Sequence, residues 1–531
     1  MVKISKKLKY IISHDHGTSG SKAALISIYG EVLGWEFQEC PLYLFDDGGA
    51  EQDPDEWWDA ICNTSKKLIE KDLVPVEDIV AVCCSSQWSG TVAVDKDGNH
   101  LRNAIIWLDS RGQQIIQKIV RGRLINIQGY GLMKLLKFLR LTGGGPTKSG
   151  KDSIAHILWI KENEPEIYKQ TYKFLECVDY LNLKFSGKFA ASYVSIILNW
   201  ITDNRNPNNV RYNNSLIKNF GLDKEKFPEL KRAIDVLGTI SKDVADELGL
   251  DRDVKIVMGA PDLPAAAMGS GAVRDYEAHI YIGTSSWIIC HVPFKKTNIS
   301  HNMASIPSAI PGKYFLATEQ ETAGACLSYL RDNIIYFEDE LLREEKLTDV
   351  YKIFDRIIEE IPAGSNKVIF TPWLYGERTP IEDHSVRGGL FNLSLKTTRA
   401  EIIRAVFEGV AYNTRWVLKF AEKFINNRRM DPINIIGGGA SSDIWCQIYA
   451  DVLNRTIRQV ENPIQANARG AAFIASVGLG YITFDEIPKY IKFSNIFKPQ
   501  PKNRKIYDIL FNEFLEIYKQ NKKMYKRLNK H

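Results

Sequence analysis

No stretch of this 531-residue chain approaches the roughly twenty consecutive apolar residues of a membrane span, so no membrane partner is expected. The N-terminus is basic, but the apolar stretch behind it is too short for a secretory segment, which points to the cytoplasm. Cysteine is sparse and unpatterned: eight residues, no C-x-x-C pair and no regular spacing. Cys83 and Cys84, adjoining in "IVAVCC", read as buried thiols of a reducing compartment instead of a metal or redox centre. Excess charge is small as well. Lys and Arg outnumber Asp and Glu by 69 to 64, concentrated modestly in "KISKKLK" and "KQNKKMYKRLNK", and no dense basic stripe suggests nucleic acid. The dinucleotide fingerprint G-x-G-x-x-G is missing, the turn "GGGASS" has neither that pattern nor the Walker A spacing, and there is no low-complexity segment.

What is present is a repeated strand-and-turn grammar. At this length, with 44% apolar residues, two or more domains are required. "KYIISHD", "AALISIYGEVLGWE", "IVAVCCSSQ" and "GTVAVDKDGN" read as strands, the second as two strands around Tyr29-Gly30. Between them "DPDEWWDAICNTSKKLIEK" reads as a helix capped by Asp53 with Pro54 at its first position. Residues from about 150 to 250 are more helical, as in "AHILWIKENEPEIYKQ" and "ISKDVADELGL". The pattern restarts at "VKIVMGAPDLPAAAMGSGAV" and continues through "AHIYIGTSSWIICHV" and "INIIGGGASSDIWCQIYADVLN". The C-terminal "KIYDILFNEFLEIYKQNKKMYKRL" reads as a helix packed on its own domain. These patterns predict an α/β protein of two lobes, residues 1–255 and 256–531.

Three glycine turns carry the chemistry. In "DHGTSGSK", Gly17 and Gly20 permit a tight turn, Thr18, Ser19 and Ser21 offer hydroxyls, and Lys22 offers a point charge for phosphate oxygens. Asp15 would repel a bare phosphate and makes sense beside Mg²⁺; the plain alternative is an ordinary hairpin turn with Asp15 bonding backbone. The turn "GTSS" at 283–286 repeats the backbone logic without charge. Gly437-Gly438-Gly439-Ala440 precedes a helix and would let a nucleotide approach bare backbone. Asp262 sits at a strand-to-helix junction, either as a helix cap or as a general base for a hydroxyl.

These segments resemble the FGGY family of carbohydrate kinases, within the actin-like ATPase superfamily, along nearly the whole chain. "DHGTSGSK" resembles the first phosphate motif, "GAPDLPAAAMGSG" the segment bearing the catalytic Asp, "YIGTSS" the second phosphate hairpin and "IGGGASSDIWCQIYADVLN" the adenosine turn and helix. "PWLYGERTP", "DPDEWWDA" and "WLDSRG" are similar to the xylulokinase branch. The resemblance implies two actin-like, ribonuclease H-like lobes around a cleft. It implies ATP and Mg²⁺ as cofactors and a small sugar or polyol as acceptor, most simply a ketopentose such as xylulose, and it leaves a homodimer open. Asp262 becomes the base and, with Asp15, a metal ligand. Gly17, Thr18, Ser19 and Lys22 hold phosphates, as do Gly283 and Thr284, while Gly324, Gly438, Gly439, Ala440 and Asp443 line the nucleotide. Gln87, Trp88, Ser89, Trp107, Asp109, Asp262 and Leu263 face the sugar.

Several residues depart from the family pattern. Ser86-Gln87-Trp88-Ser89-Gly90 stands where Gly-Gln-Met-His-Gly is usual, and Leu263 replaces an Asn or Gln. Asn392 replaces a Gly, and His156 a Lys. Those on the sugar side keep two alternatives open: a kinase for another polyol such as glycerol or ribulose, and a non-catalytic actin-like nucleotide binder.

Overall fold

A computed structural model describes residues 8–335 and 350–529; residues 1–7 of the basic N-terminal segment and residues 530–531 lie outside these. Alternating apolar strands open the chain. β1 (Tyr10–Gly17), β2 (Gly20–Ser27) and β3 (Val32–Glu39) form an antiparallel meander. Helix α1 (Pro54–Glu70) then starts as expected, with the Asp53 carboxylate accepting from the Asp55 N–H at 2.9 Å. It buries Trp57, Ile61 and Leu68 and leads to β4 (Ile79–Ser86), parallel to β1. The expected helical stretch 155–170 is two helices, α2 (Ser153–Asn163) and α3 (Pro165–Gln170), because Pro165 cannot continue the first. Helix α4 (Cys177–Ser186) follows, and β5 (Val236–Thr239) and β6 (Lys255–Val257) complete a sheet ordered β5-β6-β4-β1-β2-β3. Since β6 pairs with β4, the first sheet runs past the expected seam at 255, and the chain leaves it just before α5 (Asp262–Gly269).

The second half builds β7 (Ala278–Ile282), β8 (Ser286–Val292), β9 (Thr297–Asn298), β10 (Met303–Pro307) and β11 (Tyr314–Ala317). Helices α6 (Gly324–Tyr329) and α7 (Arg399–Phe424) precede β12 (Ile433–Ile436), and α8 (Asp443–Leu453) precedes β13 (Ile457–Val460). Helix α9 (Ala466–Gly478), β14 (Phe493–Phe497) and α10 (Pro501–Leu528) end the fold. The sheet order is β9-β10-β11-β8-β7-β12-β13-β14. From β11 to β14 it repeats the first sheet: three antiparallel strands, two more parallel to the innermost, then an antiparallel edge. The duplication suggested by the two Gly-Thr-Ser turns is thus a duplication of topology.

The lobes interlock through α9, which lies against β1, β4 and α5 of the first half. The α5–α9 crossing is backbone on backbone: a Cβ on Gly470 would fall 1.8 Å from the Ala265 carbonyl oxygen, and one on Gly269 1.7 Å from that of Ala466. Only glycine allows that approach. Helix α10 packs Tyr507, Leu510, Phe511 and Phe514 on the second lobe, as expected for a helix serving its own domain. All eight cysteines are buried free thiols. Asn392 holds φ 65°, a left-handed conformation Asn tolerates, so the fold absorbs that departure. Among the described residues no helix is long and apolar enough to cross a membrane.

Candidate active site

The β1–β2 register places Asp15 opposite Lys22, and their side chains pair at 3.2 Å. Lys22 also donates to the Ile464 carbonyl at 3.1 Å, and Asn467 Nδ2 donates to Asp15 at 3.3 Å. The start of α9 and the turn just ahead of it therefore clasp the first hairpin from the other half of the chain. Ser19 stands exposed at the tip of that hairpin, between Gly17 and Gly20. Thr284 is exposed at the tip of the β7–β8 turn, and the Gly324 N–H at the head of α6 braces that turn by donating to Gly283 O at 2.8 Å. Burial raises the Tyr281 phenol pKa, and the nearby charges of Asp15 and Asp262 raise it further. Tyr281, at the end of β7, therefore lies within electrostatic reach of both carboxylates.

Asp262 is the first residue of α5, and Pro261 occupies the cap position without a side-chain bond. The cap reading therefore fails. The carboxylate accepts the N–H of the adjacent Leu263 at 2.8 Å and is partly buried. Burial raises its pKa well above the ordinary value, and the charges of Asp15 and Glu319 push the same way.

Most of the expected sugar-facing residues are spent elsewhere. Trp88 is 8% exposed, packs in the core beside Val194, Ile197 and Leu263, and donates its indole N–H to Ser195 O at 3.0 Å. The Ser89 hydroxyl donates to Lys151 O at 2.6 Å. Asp109, 1% exposed, accepts from Ala50 N at 3.0 Å and Arg111 Nε at 2.8 Å. Gln87 donates to Gln52 at 2.7 Å and accepts from the Thr18 hydroxyl at 3.0 Å. That hydroxyl also accepts from Trp107 Nε1 at 2.8 Å. Thr18 thus ties the phosphate hairpin to the sugar wall and has no proton left for a phosphate. Trp107 and Asp262 remain half-exposed, whereas Gln87, Trp88, Ser89, Asp109 and Leu263 are buried. His156 is buried against Thr91 at 3.3 Å, and burial drops its pKa to about 4.

On the nucleotide side, Gly438 is exposed, and a Cβ there would meet nothing within 4 Å, so the backbone stands clear for a ligand. Gly439 is half-exposed beside it. Ala440 is buried and gives its N–H to Gly437 at 3.1 Å, which removes it from the lining. Asp443 receives Gln459 at 2.9 Å and Asn495 at 3.3 Å and so steadies the turn.

The fold adds residues that motif reading missed. Arg378, in the quoted "PWLYGERTP", bonds Glu321 at 3.0 Å and also Glu319, with Lys151 close by. The pairing joins positions almost sixty residues apart, beyond any local pattern. For a divalent cation, Asp15 and Asp262 are hard oxygen donors of the kind Mg²⁺ takes. Asn467 Oδ1, on the amide that bonds Asp15, is buried with no partner. These residues fit Mg²⁺. Among the described residues a separate grouping, Asp53, Asp55 and His100, also brings potential ligands together, but its aspartates belong to the capped first turn of α1.

The FGGY family of carbohydrate kinases, N-terminal domain, matches residues 10–269, and the C-terminal domain of the same family matches 278–479. A xylulose kinase of Staphylococcus epidermidis is 28% identical over 523 residues, covering 97% of both chains. Two Lactobacillus acidophilus crystal structures superpose with TM-score 0.84. One is a ligand-bound xylulose kinase at 26% identity, the other a gluconate kinase at 25%; each alignment covers 98% of this chain and 100% of the other.

Proposed function

Because the chain belongs to the FGGY family of carbohydrate kinases, with ATP as phosphate donor and an alcohol as acceptor, we propose that it phosphorylates a ketopentose of the xylulose type, in the cytoplasm, with Asp262 as general base. The observation that supports the reading is the partly buried Asp262 carboxylate at the head of α5, within electrostatic reach of Asp15, whose side chain pairs with Lys22. An ionised Asp262 takes the proton of the acceptor hydroxyl, whose oxygen forms the bond to the γ-phosphorus. The bond from that phosphorus to the β–γ bridging oxygen breaks, and ADP leaves. Lys22, the exposed tips at Ser19 and Thr284, and the bare backbone at Gly438 and Gly439 hold the phosphates and nucleotide. Phosphoryl transfer asks for positioning and charge neutralisation above all, and these groups supply both. Mg²⁺ held by Asp15 and Asp262, when bound, neutralises phosphate charge.

The xylulose assignment rests on the relatives' substrate and on Trp107, whose half-exposed ring offers a flat wall for the sugar. ADP release measured against pentuloses, hexuloses, aldonates, glycerol and other polyols tests it. Highest kcat/KM on a ketopentose is the expected result; highest on glycerol or a hexulose overturns the assignment. ATP binding with no stimulation by any acceptor would mean a nucleotide binder instead.

A further inference from the structure

Lys151 has no part in the transfer just described, yet it is only 8% exposed. Its carbonyl is pinned by the Ser89 hydroxyl just ahead of α2. Its ammonium lies 4.6 Å from the ring centroid of Tyr375, in the second lobe, and 6.0 Å from that of Trp107, in the first. Among the described residues it has neither a hydrogen-bond acceptor nor a carboxylate at ion-pair distance. Glu319 and Glu321 act on it through space but are bonded to Arg378. Charge in this group balances, two cations against two carboxylates, while three N–H donors remain unspent. Buried donors left unspent are costly, and an oxygen-rich ligand would satisfy them. The site also borders the reaction centre, since Glu319 acts on Asp262 as well as on Lys151.

An ammonium donates and never accepts. It is matched best by an oxygen with free lone pairs and no proton of its own to place, a carbonyl or carboxylate, and less well by a hydroxyl. A pentulose that offers its C5 hydroxyl to the phosphoryl group cannot use that hydroxyl to close a furanose ring, so it presents a bare carbonyl; an aldonate presents a carboxylate. We propose that Lys151 sets acceptor specificity by donating to such an sp² oxygen of the acceptor, in preference to the hydroxyls of an alditol. This rests on the sugar-kinase reading above.

The test compares wild type, Lys151→Met and Lys151→Arg for ADP release with D-xylulose, D-gluconate and xylitol, with ADP affinity measured calorimetrically. Wild type is expected to favour xylulose or gluconate over xylitol, and the preferred one identifies the carbonyl or the carboxylate as the partner. Lys151→Met should raise KM for that acceptor about tenfold or more and draw the preference over xylitol towards unity. ADP affinity should be unchanged, and Lys151→Arg should restore part of the preference. An unchanged KM, or an equal loss on all three acceptors with ADP affinity intact, overturns the proposal. If Lys151→Met fails to fold, Lys151→Gln is judged by the same ratio. Should wild type phosphorylate none of these or any other acceptor, the kinase reading falls too; activity with an unaltered ratio refutes the Lys151 assignment alone.

Discussion

Replacing Asp262 with Asn keeps the shape of the group and its acceptor for the Leu263 N–H at 2.8 Å, and removes only the charge and the proton-accepting oxygen. A positioned general base contributes roughly 10²–10⁴-fold, or about 2.7–5.4 kcal/mol at 1.36 kcal/mol per decade. We expect kcat to fall by about that factor while ADP affinity, read by calorimetry without Mg²⁺, stays within about threefold, because the Lys22 and Gly438 contacts are untouched. The same substitution tests the electrostatics independently. Burial, with Asp15 and Glu319, raises the folded carboxyl, whereas the unfolded one ionises near the ordinary value of about 3.9. The fold therefore binds the proton more tightly than the unfolded chain. Its stabilising contribution is complete below about pH 4 and is lost as pH rises through the folded value. Asp262→Asn should accordingly raise Tm at neutral pH, with the gain vanishing as pH falls towards 4, and wild-type kcat/KM should climb with pH as the raised carboxyl ionises. A variant that keeps more than a tenth of wild-type kcat would refute the base assignment. A variant less stable than wild type at pH 7 would refute the account of the carboxyl's environment.

Lys22→Met leaves Asp15 and the Ile464 carbonyl without their shared donor. It should cost about 1–3 kcal/mol in urea denaturation and raise the KM for ATP about tenfold; an unchanged KM would remove Lys22 from the phosphate site. Gly470→Ala drives a methyl into the Ala265 carbonyl and should destabilise by about 1–3 kcal/mol or more, lowering Tm and kcat together because α5 carries Asp262. Gly438→Ala, where a Cβ meets nothing, should spare Tm and weaken ATP binding. If both glycine variants behave alike in Tm, the contrast between close packing and an open ligand surface is wrong.

Local physics made much of this legible along the chain. Alternating apolar residues and glycine turns mark both hairpins, Asp53-Pro54 marks a helix start, and Asp15, Lys22 and Asp262 carry their charge wherever the chain places them. The shared order of these motifs was enough for the family. The sequence could not say which polar side chains remain free, because hydrogen-bond saturation depends on partners far away in the chain. Trp88 is claimed by Ser195, 107 residues on, and Asp109 by Ala50, 59 residues back, so both leave the sugar wall. Thr18 is claimed from two sides by Gln87 and Trp107. Lys151, which matched no motif, is carried into the cleft between aromatic rings of the two lobes. Residue type settled what each group can do; only the packing of two lobes across the cleft decided which groups are left with that capacity unspent.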